Sequence, residues 1–181
     1  MKAVPWKKIS STGVFKHPRL NLVEDTVELP DGKKTTYLRH APTEAFSVCA
    51  IAVNDRQEML LQKEYSYPPN EVMWQLPGGG GNAGEDIIQA ANRELSEESG
   101  VMGKQCTLLG SYYLDNRRSD IKQYVVLCTD LEEKIAQRDE EEFIETHWIP
   151  LSELSSYISS GEFNNAPLLA ALNVYFAANV Q

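Results

Sequence analysis

The most continuous apolar stretch of the chain runs from Ala45 to Val53, the pattern of a strand buried on both faces. An Asn54-Asp55 turn and the short apolar run Met59-Leu60-Leu61 follow it. Upstream the texture differs. Leu20 to Leu29 partly alternates, Pro30-Asp31-Gly32 is a turn signal, and Lys34 to Arg39 alternates again, which predicts a hairpin. The change in texture puts the start of the main domain near Thr43. Downstream, strands are predicted at Thr107 to Tyr113, Gln123 to Cys128 and around Ile144 to Ile149, and Gly78 to Gly84 is a glycine-rich loop. A helix is predicted from about Glu85 to Ser99, with Ile88, Ala91 and Leu95 as its buried stripe and Gly100 as a left-handed cap. Ser152 with Glu153 opens a second helix; Asn165 before Pro167 opens a third, running from Leu168 to about Ala178. This mixed order predicts an α/β (α+β) layered fold.

The 181 residues suit one domain with a small appendage, and 42% hydrophobic content is enough for a core. Seventeen Lys plus Arg stand against 26 Asp plus Glu, a net charge of −9, so nucleic acid is not expected as a partner. A small phosphorylated ligand remains compatible, because a bound divalent metal inverts the local sign of a carboxylate-rich site. Cys49, Cys106 and Cys128 are odd in number, widely spaced and set in apolar surroundings, the usage expected of reduced thiols in a cytoplasmic protein. Neither a secretory leader nor a bilayer-spanning run is evident, so no membrane partner is expected.

On the predicted helix Glu94, Glu97 and Glu98 are related by three and four residues, so their carboxylates gather and repel one another. Two readings compete. A solvated acidic face is one, with Arg93 and Glu97 as an ordinary surface pair; a Mg2+ platform is the other, since this hard cation prefers oxygen ligands and binds through carboxylates and substrate phosphates. The preceding glycine loop favours the second, because backbone without side-chain bulk approaches the carboxylates and offers a carbonyl. Gly79-x-Gly81-x-x-Gly84 also fits a dinucleotide fingerprint, but Glu85-Asp86 at the helix start would repel a pyrophosphate there.

Gly79, Glu85, Arg93, Glu94, Leu95, Glu97, Glu98, Gly100 and Val101 occupy every fixed position of G-x5-E-x7-R-E-U-x-E-E-x-G-U, where U is bulky and apolar. The segment resembles the box of the Nudix hydrolase family. That resemblance implies an α/β/α sandwich whose helix presents Glu94, Glu97 and Glu98 to Mg2+, with Mn2+ as a substitute, while Arg93 and Glu85 orient the carboxylates. It implies a metal set of Gly78 (through its carbonyl), Glu94, Glu98 and Glu142, and a catalytic set of Arg93, Glu97 and a general base.

Trp6-Lys7-Lys8, the N-terminal hairpin, Glu64-Tyr65-Ser66-Tyr67-Pro68 and Trp74-Gln75-Leu76-Pro77 are similar to the ADP-ribose and nucleoside diphosphate sugar pyrophosphatase branch. The branch implies residues 1–42 as a β-rich dimerisation and substrate-binding segment, residues 43–181 as the Nudix domain, and a homodimer whose N-terminal strands commonly swap. A loop of that branch supplies a base and, two residues on, a metal ligand. Aligned on Phe143-Ile144 within the acidic run Asp139 to Glu142, these are Glu140 and Glu142, with Glu141 as base if the register slips by one. As bare sequence the same run is an acidic surface loop. Arg117 and Arg118, after a strand, offer guanidinium groups to phosphates or a sugar, or form a polar turn. Tyr65 and Ser66 complete the substrate candidates. Ser66 stands where ADP-ribose pyrophosphatases often carry arginine, so a phosphate or nucleotide contact is lost or supplied elsewhere.

The expected reaction is hydrolysis of a nucleoside diphosphate sugar of ADP-ribose, GDP-mannose or UDP-glucose type. Alternatives are a nucleoside triphosphate or RNA pyrophosphohydrolase using the same box, and a non-catalytic ligand sensor.

Overall fold

The computed structural model describes residues 3–82, 84–135 and 143–179; Glu140, Glu141 and Glu142 lie outside them. The chain divides into two compact units, Met1–Glu44 with Tyr113–Ile121, and Ala45–Tyr112 with Lys122–Gln181.

The first unit is an antiparallel sheet of β1 (Lys7–His17), β2 (Leu20–Glu28) and β3 (Lys34–His40), in that order. Strands β2 and β3 form the hairpin that the alternation predicts, closed at Gly32, whose φ of 82° suits a residue without a Cβ. Strand β1 carries no hydrophobic alternation and is exposed along its whole length, so nothing in its pattern announces a strand. Asp25 is buried at the centre of this sheet, where Arg39 Nε donates to its Oδ2 over 2.6 Å. The Ser11 hydroxyl first, and then Arg39, hold its carboxyl below the ordinary range.

The second unit contains an antiparallel sheet in the order β10 (Glu145–Pro150), β5 (Glu58–Ser66), β6 (Glu71–Gln75). A mixed sheet has the order β7 (Gly78–Gly81), β4 (Phe46–Ala52), β9 (Lys122–Glu133), β8 (Val101–Tyr113), with β4 and β9 parallel. The near-continuous apolar run of β4 reflects burial on both faces. Val48, Ala50 and Ala52 join Val126, Cys128 and Leu60 against α1 (Ile87–Ser99). Cys49, Ile51 and Val53 join Met59, Leu61 and Val125 against α2 (Leu154–Ser160) and α3 (Ala166–Asn179). The result is helix, sheets, helices: an α/β/α sandwich. Asn165 caps α3, its Oδ1 accepting from Leu168 N over 2.8 Å, as the Asn165-x-Pro167 signal predicts. All three cysteines are free thiols; Cys49 and Cys128 are buried and Cys106 is half-buried.

Two expectations need correction. The glycine-rich segment is not a loop at its start: Gly78–Gly81 is a strand paired with Phe46–Cys49. Four glycines carry no side-chain pattern, so the pairing is set by their partners and leaves no local signal. Residues 101–106 also extend β8 well upstream of the predicted start at Thr107.

Candidate active site

Helix α1 begins two residues later than predicted. Asp86 has extended backbone (φ −72°, ψ 139°), and its side chain accepts from Ile88 N (3.0 Å) and Gln89 N (3.1 Å), so the N-cap position falls to it. Glu85, left outside the helix, turns back and accepts from Asn82 N (2.8 Å) and Asn82 Nδ2 (3.0 Å) through Oε2. The helix closes as expected at Gly100, with φ of 73°.

Strand β7 brings backbone against both β4 and α1. A Cβ on Gly78 would stand 2.3 Å from the Val48 carbonyl oxygen, and one on Gly79 would stand 2.7 Å from Glu94 Oε2. Glycine is required here by close approach. Ser47 Oγ donates to the Gly79 carbonyl over 3.0 Å and pins this edge.

Arg93 organises the carboxylates. Its Nε donates to Glu85 Oε1 (2.9 Å) and its Nη2 to Glu85 Oε2 (3.1 Å), a two-point grip that fits the planar fork. Nη1 donates to Glu94 Oε1 (2.8 Å) and Glu97 Oε2 (2.9 Å), and Nη2 also reaches the Gly80 carbonyl (3.1 Å). Every classical donor direction of the guanidinium is therefore aimed at the glycine strand or a box carboxylate. The Arg93 hydrogen bonds, followed by the Asn82 N–H, pull the Glu85 carboxyl down to about 2. Reciprocally, Arg93 is raised above its ordinary value, first by Glu85.

Glu98 differs from its neighbours. The sequence places it with Glu94 and Glu97 on the polar face, yet it is only 5% exposed and continues the buried stripe of Ala91 and Leu95. Its Oε2 accepts from Gln62 Nε2 (2.9 Å) and Gly78 N (3.1 Å). Gln62 escaped the sequence reading; its one signal is a polar residue at an inward position following Leu60.

A cavity of about 630 Å³ flanks α1, with Arg93 and Glu97 on one wall and Met102, Lys134 and Ile135 on another. Asn92, also lining it, clamps the helix to β8 by exchanging two 2.9 Å hydrogen bonds with Gly103. Tyr65 lies on β5, half exposed, and donates through its hydroxyl to Asn70 Oδ1 (2.8 Å); Ser66 ends that strand. Arg117 and Arg118 lie in the first unit, where with Tyr37 and Arg39 they line a cavity of about 280 Å³. The Arg117 carbonyl accepts from Tyr37 Oη (2.6 Å), and Arg118 Nη1 donates to the Leu38 carbonyl (3.3 Å).

The donor set fits a hard divalent cation in type. All candidates are oxygen donors, and Glu85, Glu94, Glu97 and Glu98 together outweigh the single Arg93 cation. The Gly79 backbone also forms a cradle that a Cβ would fill. No three acidic, histidine or cysteine side chains converge as a closed ligand set among the described residues. Arg93 draws Glu94 and Glu97 toward itself, while Gln62 and Gly78 hold Glu98.

Known proteins resemble the chain over most of its length. The sequence model of the NUDIX domain matches residues 43–172, and that of the nucleoside diphosphate sugar hydrolase N-terminal domain matches residues 6–37. The chain belongs to the Nudix family and is a hydrolase of it. It is 28% identical to the ADP-ribose pyrophosphatase of Bacillus subtilis over 176 residues, 95% of this chain and 93% of that one. It is also 28% identical to an ADP compounds hydrolase of Escherichia coli over 156 residues, 85% and 83% of the two chains. The crystal structure of an ADP compounds hydrolase superposes with a TM-score of 0.90 at 23% identity, covering 98% of this chain and 96% of that one.

Proposed function

We propose that this protein hydrolyses the diphosphate bond of nucleoside diphosphate sugars, ADP-ribose first among them, to a nucleoside monophosphate and a sugar phosphate. The observation that carries the reading is the Arg93 hub, which holds Glu94 and Glu97 beside the glycine strand one turn from the buried Glu98. The names of the relatives from Bacillus subtilis and Escherichia coli support an ADP-containing substrate.

Glu94, Glu98, the Gly78 carbonyl and Glu142 are the residues that would hold Mg2+, or Mn2+ in its place. When bound, the ion would supply Lewis acidity that offsets charge on the diphosphate. Arg93 keeps the mutually repelling carboxylates together, and Glu97 completes their face. Water adds to a phosphorus, the bridging P–O bond breaks, and Glu140 accepts the proton of the attacking water. Tyr65, Ser66, Arg117 and Arg118 are the candidates for gripping the nucleotide and sugar.

The dimer belongs to the same reading. Ile9, Val14 and Phe15 of β1 and Leu38 of β3 are all about half exposed, an apolar surface suited to a second copy of the chain. Nucleoside triphosphate or RNA hydrolysis would use the same box; the charge of −9 argues against RNA, and the N-terminal match favours diphosphate sugars. A ligand sensor would have no need of a complete set of box carboxylates, and here the set is complete.

Purified protein with Mg2+ should cleave ADP-ribose to AMP and ribose 5-phosphate in a panel that includes GDP-mannose, UDP-glucose, nucleoside triphosphates and capped RNA. Cleavage of triphosphates or RNA alone, with product identification, overturns the substrate reading.

A further inference from the structure

We propose that Gln62 is a positioning residue for cation binding, one that holds the Glu98 carboxylate in its working orientation. This inference rests on the reading above that Glu98 is a metal ligand.

Strand β5 alternates between the two helical layers. Met59 and Leu61 face the α2 and α3 layer, whereas Leu60 packs with Ala90, Ala91 and Leu95 of α1. The two-residue period of a strand turns position 62 toward α1 as well. An apolar residue would pack there; instead there is a glutamine, 2% exposed. The opposing helix makes the same departure, since Glu98 takes the core-stripe place that follows Ala91 and Leu95.

These two buried polar groups meet, Gln62 Nε2 donating to Glu98 Oε2 over 2.9 Å. The same oxygen accepts from Gly78 N over 3.1 Å, and Gly78 is fixed by its close pairing with β4. Gln62 Oε1 is buried and has no hydrogen-bond partner among the described residues. Turning the amide over would set Oε1 against the Glu98 Oε2 that already accepts from Gly78 N, so this acceptor dictates which end of the amide points inward. A buried acceptor without a donor is uncommon in native structures and calls for a reason. The reason is at the other end of the amide: carboxylates that ligate metals are themselves held by hydrogen bonds, and losing such a partner weakens metal binding about 10- to 100-fold.

The test is Mn2+ binding to the full chain, followed by electron paramagnetic resonance titration and paired with melting temperatures measured without metal. The proteins compared are wild type, Gln62→Met, Gln62→Leu, Glu98→Gln and the double variant Gln62→Met with Glu98→Gln. Gln62→Met should weaken Mn2+ binding about tenfold or more, with a metal-free melting temperature close to wild type. In the Glu98→Gln background it should weaken binding no further, because its effect passes through Glu98. Unchanged affinity in Gln62→Met beside a loss in Glu98→Gln overturns the role of Gln62, as does an additive loss in the double variant. Unchanged affinity in Glu98→Gln overturns the metal reading itself. Failure of both Gln62→Met and Gln62→Leu to fold assigns Gln62 to the architecture alone and also overturns the proposal.

Discussion

Three glutamates, Glu85, Glu94 and Glu97, meet one arginine on and beside α1, while Glu98 is held by Gln62 and Gly78, and these surroundings divide their roles. Glu85 is the restraining partner: its two-point bond to Arg93 fixes the guanidinium, which then reaches Glu94 and Glu97. Glu98 is buried and hydrogen-bonded from β5 and β7, so replacing it by the isosteric glutamine keeps the shape of the core. Glu98→Gln should therefore keep its melting temperature within a few degrees while steady-state hydrolysis falls by about 100-fold or more, given the role proposed for it. Unaltered turnover would remove Glu98 from the chemistry. Acid sensitivity follows from Glu85. Its carboxyl is held at about 2 in the folded protein against an ordinary 4.5. The stability it contributes is complete above about pH 4.5 and is lost as pH falls from there toward 2. Arg93→Ala removes the cause, so the decline of melting temperature across that interval should be shallower in the variant. Equal slopes would show that the Glu85–Arg93 pair is not what acid breaks.

At the scale of elements, the site is a helix laid against a glycine strand, and the two glycines at its centre serve different contacts. A methyl at Gly79 meets the end of the Glu94 side chain, whereas one at Gly78 meets the Val48 backbone. Gly79→Ala should displace the carboxylate and reduce activity at least about tenfold, with little change in melting temperature. Gly78→Ala should cost about 2 kcal/mol of stability, because overpacking against backbone has no flexible end to give way. Thermal melts with parallel kinetics separate the two; matched stability losses would show that β7 answers to packing alone. Most of α1 is legible in the sequence, from the buried Ala91 and Leu95 to the Gly100 close, but the Asp86 cap is not, since the predicted start lies two residues earlier than the observed one. Glu98 is misassigned to the polar face because helical spacing groups it with Glu94 and Glu97. Its burial depends on β5, a strand 36 residues away in the chain. Strand β1 is missed for a related reason: with no residue buried within its own unit, it has no face for a period-two pattern to mark.

For the whole molecule, the half-exposed Ile9, Val14 and Phe15 argue for association. Light scattering behind size exclusion should give twice the 20.3 kDa chain mass, and Phe15→Asp should shift the protein toward the single-chain value. A monomeric wild type would leave this surface to another partner.

The sequence by itself determined the chemistry class, because every fixed residue of the Nudix box lies within one short segment, where residue types and spacing alone identify it. It also determined the layered fold, since the doubly buried β4 and the amphipathic α1 record in their patterns which faces need covering. Only the tertiary structure decided that Gly78–Gly81 is a strand, that Glu98 belongs to the core, and that Gln62 meets it. Each of these depends on a backbone or side chain far away in the chain, and local periodicity carries no record of such a partner.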